Sequence, residues 1–391
     1  MSTSKYSQRG VSSQKEDVHN AIKKSGKGLF PKAFCKILPD YAGVDKNYCN
    51  IMHADTAGTK TILAYLWWKE TGDHSVWKGI VQDALVMNID DMVCAGAVEK
   101  MVVSSTIGRN KDLITGDVLK HLIEGAAELV EEWNDLGIPL HLAGGETADV
   151  GDLVRTLDVG FTVFTRMKRS QVVRVNIQPG DVIVGLASFG KASYEKEYNS
   201  GIGCNGLTSA RHDVLGDELR KKYPETFDPK VKKSLIYAGT QKITGKEKET
   251  GLPVGKLLLS PTRTFFPVIK DILKKNIPVH GIIHCTGGGQ TKVLKFADKL
   301  RIIKDNLFEP PPIFRLIQKE SGTSWREMHE VFNMGHRMEL YAGERAAQTI
   351  MKAASVFNIE SKIIGRVEHS FKKELVIKTG EGEFHFVQKA E

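Results

Sequence analysis

Three stretches of this 391-residue chain place carboxylates where an acid needs a partner cation. The first is Asp55-Thr56-Ala57-Gly58-Thr59-Lys60, after a short apolar strand and before an apolar helix. A strand end sets Asp55 at the sheet edge where open α/β sheets bind ligands. Gly58 lets backbone approach a phosphate, and Lys60 supplies a cation. Asp55 suits Mg²⁺, which takes one or two carboxylates together with phosphate oxygens. A plain turn with Asp55 as helix cap explains this stretch equally well.

The second stretch carries Asp83, Asp90 and Asp91 among Ala84, Leu85, Val86, Met87, Ile89, Met92 and Val93. A helix that is apolar all round is buried, and a buried carboxylate is costly without a cation. At about 100° per residue, Asp83 and Asp90 nearly stack and Asp91 lies about 80° round from Asp83. The spacing suits a metal cluster, against the plainer reading of solvated acids. The third, Gly144-Gly145-Glu146-Thr147, suits a tight turn that carries Glu146 into a cleft, although a turn with a helix cap would look the same. A fourth, Thr286-Gly287-Gly288-Gly289, exposes successive N–H groups to an anion or is a flexible connector.

Other chemistries are excluded by pattern. No G-x-x-x-x-G-K-[ST] loop occurs. Residues 201–206 fit G-x-G-x-x-G, but polar residues 194–200 precede them where a dinucleotide fold needs a buried strand. His280 and His284 sit on a strand and form no helical zinc pair, and no G-x-S-x-G nucleophile turn exists. The cysteines (Cys35, Cys49, Cys94, Cys204, Cys285) include no C-x-x-C pair and suit free thiols in a reducing compartment.

The elements that must position these residues follow from periodicity. Strands are expected over 50–54, 102–107, 156–165, 182–187 and 279–285. Helices are expected over 76–94, 117–136 and 264–275. Strand-like runs close the chain at 362–367, 374–377 and 383–387. The turn Gln178-Pro179-Gly180-Asp181 and a fresh strand after it put a domain boundary near Arg174, giving domains 1–173 and 174–391. Residues 1 to about 30 are polar and read as a mobile arm or lid. Both halves share a strand, glycine-turn, helix order, and the fold class is α/β (α+β).

The formal net charge is +8, from 55 basic and 47 acidic residues. The basic residues are spread, which argues against nucleic acid and for attraction of small anionic substrates. The longest apolar run, 61–68, is too short for a bilayer. Residues 1–27 lack the apolar segment of a signal peptide, so a soluble, cytoplasmic chain with no membrane partner is expected.

In order, Ala54-Asp55-Thr56-Ala57-Gly58-Thr59-Lys60, Asp90-Asp91-Met92-Val93-Cys94-Ala95-Gly96-Ala97, Gly144-Gly145-Glu146-Thr147-Ala148, Cys204-Asn205-Gly206-Leu207, Ser260-Pro261-Thr262-Arg263, His284-Cys285-Thr286-Gly287-Gly288-Gly289 and Phe332-Asn333-Met334-Gly335 resemble the aminoimidazole ribonucleotide synthetases. These are the phosphoribosylformylglycinamidine cyclo-ligases of the PurM-like superfamily. The resemblance runs from about 40 to 370. It implies a two-domain PurM-like fold with an N-terminal mixed-sheet dimerisation domain and a C-terminal α/β domain. It also implies a homodimer and a purine-synthesis step that uses ATP and Mg²⁺, with K⁺ as a further candidate cation. The substrate would be a small phosphorylated, nucleotide-like molecule.

By the same resemblance Asp55, Lys60 and Asp91 would be catalytic, and Asp55, Asp83, Asp91 and Glu146 would hold metal. Gly58, Thr59, Lys60, Gly144 and Gly145 would line the ATP phosphates. Asn205, Gly206, Thr286, Gly287 and Gly288 would contact substrate. The chain departs from the family pattern at Gly203, where the family has histidine, at Asp90 for asparagine, and at Gly335-His336-Arg337-Met338 for Gly-Val-Gly-Met. His336 and Arg337 are therefore candidates for the missing polar contacts. Two other readings compete. One is another ATP user of the superfamily, of the selenophosphate synthetase, thiamine-monophosphate kinase or formylglycinamidine synthetase type. The other is a non-catalytic nucleotide-binding paralogue.

Overall fold

Alternation builds the first sheet. Val159, Phe161 and Val163 are buried, whereas the neighbouring Asp158, Thr162 and Phe164 are only partly so. That period-two pattern makes a strand with one packed and one open face. The computed structural model describes residues 5–11, 21 and 26–388. Its first sheet contains β1 (Leu38–Pro39), β2 (Tyr48–Thr56), β3 (Met101–Arg109), β4 (Leu140–Asp149) and β5 (Leu157–Lys168) in the order β1-β2-β5-β3-β4. Only β3 and β4 run parallel.

Three helices accompany this sheet: α1 (Lys60–Thr71), α2 (Val76–Cys94) and α3 (Gly116–Asp135). Sixteen of the 19 residues of α2 are buried, so it has no solvent face. It packs on β2 and β5 from one side. From the other it meets β7 (Gly281–His284) and the helix Phe266–Lys274 of the second half. An all-round apolar helix is thus the partition between the two sheets.

The second sheet holds β6 (Val182–Ala187), β7, β8 (Leu300–Lys304), β9 (His336–Ala342), β10 (Ser361–His369), β11 (Lys373–Thr379) and β12 (Gly382–Gln388). Its order is β12-β11-β8-β10-β6-β9-β7, and only β8 and β11 pair parallel. The chain is therefore mixed α/β with two mixed sheets.

Two expectations change. Gly144-Gly145-Glu146 is not a turn but lies inside β4, where the register shifts opposite Val103–Ser105. Gly144 takes φ +97° there, and the parallel ladder to β3 resumes at Gly145. Most of the polar arm lies outside the described residues. Residues 5–11 are docked, with the Arg9 guanidinium in a buried two-pronged pair with Asp213 at 2.7 and 2.8 Å. Among the described residues no helix is long and apolar enough to cross a membrane.

The second sheet also has an irregularity between Ile363 and Gly365. A Cβ on Gly365 would stand 1.9 Å from the Ile303 carbonyl oxygen, which is backbone and has no room to yield. Gly365→Ala should therefore destabilise the fold by about 1–3 kcal/mol. Urea denaturation reads the change, and an unaltered midpoint would show that the two strands separate without cost.

Candidate functional site

The three acids of α2 face the C-terminal half at three different partners. Asp83 and Lys60, both fully buried, pair at 2.8 Å. Lys60 Nζ also donates to the Ser260 carbonyl at 2.7 Å, and Thr262 donates to Asp83 Oδ1 from its N–H at 2.8 Å and its hydroxyl at 2.5 Å. Asp90 accepts from the Thr264 hydroxyl at 2.6 Å and the Phe265 N–H at 3.0 Å, and Arg337 stands 4.0 Å away. Burial is the largest influence on Asp90 and raises its pKa despite these partners. Asp91 alone of the three keeps some exposure.

Asp91 lies between two histidines. His284 Nδ1 is 2.6 Å from Oδ1, and His53 Nε2 is 3.5 Å from Oδ2. Arg337 Nε donates to His284 Nε2 at 3.0 Å. Arginine can only donate, so the ring proton of His284 sits on Nδ1 and faces Asp91. Burial opposes ionisation of Asp91, but the bonds from His284 and His53 outweigh it and hold the acid well below the usual carboxylate range. Asn88 spends its amide protons on the Ala84 and Phe161 carbonyls, so its oxygen accepts from His53 Nδ1 at 2.9 Å. The titrating nitrogen of His53 is then Nε2, which faces Asp91. Burial lowers the His53 pKa, yet Asp91 more than offsets that and brings it to about 8.

Two sequence expectations are corrected here. Lys60 does not line an open phosphate site, and Asp83 is enclosed, with Oδ1 held by Lys60 and Thr262 and Oδ2 buried without a hydrogen-bond partner. Each closes the charge of the other in the interior, because the α1 face that starts at Lys60 packs inward. Asp55 and Glu146 are both exposed, and Asp55 Oδ1 accepts from the Thr56 N–H at 2.8 Å. They do not converge within one chain. Asp55 shares a register row with Phe161, Ser105 and Gly145, whereas Glu146 shares the next with Thr106, Gly160 and Thr56. Successive rows point to opposite faces, and three strand spacings put the two backbones roughly 14 Å apart.

A cavity of about 150 Å³ lies on the packed face, lined by Val81, Ile107, Leu122, Gly144, Gly145 and Phe161 among others. Gly58 takes φ +58° with open space where a Cβ would be. Next to it, the Thr59 hydroxyl is 2.7 Å from that of Thr208, which sits in α4 (Leu207–Val214) directly after Asn205-Gly206. The first glycine turn and the turn at 205–206 therefore share one edge. Gly206, at φ +80°, lies against the Phe332 ring, where a Cβ would come within 2.3 Å. Asn333 ties this turn down by donating to the Gly201 carbonyl at 2.8 Å.

In the turn after β7, Gly287 has open space, whereas Gly289 backs onto the His329 and Phe332 carbonyls. Lys292 Nζ stands 3.5 Å from the Thr286 hydroxyl. Behind the turn, Gln290 donates to the Asn333 carbonyl at 2.5 Å and accepts from the buried Lys304, which also pairs with Glu339.

Sequence reasoning gave no role to His284 and passed over His53, Lys292 and the Lys304–Glu339 pair. Buried lysines and acids on strands were the available signal, but nothing in the sequence pairs them. His336 is fully enclosed against Glu339 at 3.0 Å, so it makes no substrate contact. Arg337 does fill the space beside Gly203, where a Cβ would lie 3.2 Å from its Nη1.

Family models of the AIR synthase related proteins match both halves, the N-terminal domain over residues 39–167 and the C-terminal domain over 178–378. The chain belongs to the AIR synthase family. It is similar to phosphoribosylformylglycinamidine cyclo-ligase of Methanocaldococcus jannaschii, at 31% identity over 85% of this chain and 82% of that one. The cyclo-ligase of Methanothermobacter thermautotrophicus is 29% identical over 84% of this chain and 83% of its own. Among solved structures, PurLQS from Thermotoga maritima aligns at a TM-score of 0.53 and 12% identity, over 98% of this chain and 50% of that one. The hydrogenase maturation protein HypE aligns at 0.50 and 14%, over 86% and 87%. The chain thus spans about half the length of the PurL chains it matches, and at these identities the likeness is one of fold.

Breaking the buried pair with Lys60→Met should cost about 3–5 kcal/mol of unfolding free energy, because Asp83 is left charged and dry. Lys60→Met with Asp83→Leu should recover most of that loss, and a double variant as weak as the single would refute the pairing. The raised pKa of His53 gives a pH signature. A raised folded-state pKa adds stability that is complete below the unfolded value of about 6.5 and lost as pH climbs through about 8. Wild type should therefore lose stability relative to His53→Gln between pH 6.5 and 9, as read by urea melts; parallel profiles would contradict the His53–Asp91 contact.

Proposed function

We propose that the chain is an ATP-dependent cyclo-ligase that closes formylglycinamidine ribonucleotide to aminoimidazole ribonucleotide, releasing ADP and phosphate. The observation that carries this reading is the 2.7 Å meeting of Thr59 and Thr208, which sets the Asp55–Lys60 turn and the Asn205-Gly206 turn on one edge. Near full-length similarity to named cyclo-ligases supports it. The formamide oxygen is a poor leaving group. Phosphorylation turns it into phosphate, and attack by the amidine nitrogen closes the five-membered ring. The protein's part in such a reaction is positioning and charge neutralisation.

MgATP is the co-substrate. The open backbone at Gly58 and the N–H of Thr59, at the start of the 12-residue α1, suit its phosphates. Asp55 at the strand end and the partly exposed Asp91 suit its metal ion, and the apolar cavity beside Gly144-Gly145 suits a flat base. Lys292, beside the Thr286–Gly288 turn, takes the cationic role first assigned to Lys60. Asn205, Gly206 and that turn hold the ribonucleotide. Glu146 lies on the open face of the first sheet with the exposed Met52, Ala54 and Val102. An exposed apolar sheet face suits a second copy of the chain, so the active form is a homodimer in which Glu146 belongs to the interface side. All five cysteines are free, as a cytoplasmic location requires.

Full-length protein given the substrate, ATP, Mg²⁺ and K⁺ should release phosphate and form aminoimidazole ribonucleotide in equal amounts. Asp91→Asn, which keeps size and shape, should lower turnover by about 100-fold or more, in protein that circular dichroism shows to be folded, with some loss of melting temperature from the broken His53 and His284 contacts. Absence of turnover with ATP binding intact by calorimetry would favour the non-catalytic paralogue. Unchanged turnover in the variant would remove Asp91 from the site.

A further inference from the structure

At the far end of α2, about 25 Å along the axis from Asp91, a second group of side chains converges. His74 precedes the helix, and Asp117 and His121 lie one turn apart in α3. One ligand atom from each lies within 4.8 Å of the other two. His74 Nε2 is 3.4 Å from Asp117 Oδ2, and His121 Nδ1 is 3.9 Å from Oδ1 of the same carboxylate. The two imidazoles stack with centroids 4.4 Å apart and 26° between planes. Two imidazoles and one carboxylate thus meet at one point, which is the donor set of a borderline divalent ion.

The hydrogen bonds around the trio fit such an ion. His121 Nδ1 is 2.8 Å from the Asp117 carbonyl oxygen, which can only accept, so its proton is on Nδ1 and the Nε2 lone pair is free of that bond. A backbone carbonyl holding the other ring nitrogen is the usual support of a metal-bound histidine. His74 Nε2 accepts from the Trp68 indole N–H at 3.0 Å. Its Nδ1 is buried and has no partner. The present bonding of this ring is thus incomplete, and an ion that claims its Nε2 lone pair must displace Trp68. Bonds of 2.0–2.2 Å from zinc bring ligand atoms to roughly 3.3 Å of one another, so small side-chain rotations complete the set.

We propose that His74, Asp117 and His121 form a site for a borderline divalent ion of the Zn²⁺, Co²⁺ or Ni²⁺ class. Two imidazoles and one carboxylate suit these ions, whereas Mg²⁺ prefers oxygen alone. The site clasps the start of α2 to the start of α3, the helices that contribute Val81, Leu122, Ile123 and Ala126 to the cavity wall. It draws on no residue of the proposed nucleotide site and stands apart from that reading.

The test uses chelator-treated full-length protein. Co²⁺ should bind with one-to-one stoichiometry, develop visible ligand-field absorption, quench tryptophan emission and be displaced by Zn²⁺. His121→Ala and Asp117→Asn, at partly exposed positions, should keep the fold and weaken binding by about tenfold or more. Trp68→Phe should bind at least as tightly, because it frees the Nε2 lone pair of His74. Added Mg²⁺ should do none of this. Failure of Co²⁺ and Zn²⁺ to saturate a single site would overturn the proposal. So would equal affinity in the His121 and Asp117 variants, or weaker binding by Trp68→Phe.

Discussion

Burial of three carboxylates on one helix governs the rest of this structure. A helix as apolar as α2 must be covered on every side, yet it carries Asp83, Asp90 and Asp91 into that cover. A dry carboxylate needs a cation or several donors, and each of the three receives a different answer, from α1 or from the second half of the chain. Lys60 and Thr262 answer Asp83, Thr264 and the Phe265 N–H answer Asp90, and His284 answers Asp91. These bonds hold the loop at 260–265, the end of β7 and the start of α1 in one relative position. The glycine turns attached to those elements are thereby placed along a common edge.

The same arrangement separates enclosed charge from accessible charge. Asp83 and Lys60 are both fully enclosed, and a pair in that state fixes geometry rather than meeting ligand. Asp91 keeps one side toward the partly exposed His53, and it is the acid left with access. Lys304 and Glu339 repeat the structural role beneath the 286–289 turn, where Gln290 passes their hold on to the Asn333 segment. Rigid support of this kind is what a reaction that relies on positioning demands.

Much of the fold was legible along the chain. The helix expected over 76–94 is Val76–Cys94, and the strand expected over 182–187 is Val182–Ala187, because each carries a strong apolar period. The wheel that stacks Asp83 with Asp90 also holds, since both acids meet the one loop at 262–265. What misled was polarity without partners. Gly144-Gly145 looks like a turn, but with a strand on one side a glycine pair serves a bulge equally well. The run from Asp55 to Lys60 looks like a single phosphate site, yet a helix begins at its end and turns the lysine inward.

The sequence by itself determined the strongly periodic elements, the family and the order of the glycine turns, because these rest on local period, composition and spacing; the strands at 300–304 and 336–342 and the helices at 312–321 and 344–356 emerged only in the structure. The tertiary structure decided which charges are spent inside and which stay open. It paired Lys60 with Asp83, gave Asp91 two histidines 38 residues before it and 193 after it, and put Asp55 and Glu146 on opposite sheet faces. The physical reason is that ion pairs form between residues distant in the chain, and neither register nor packing direction is encoded in any single segment that contributes to them.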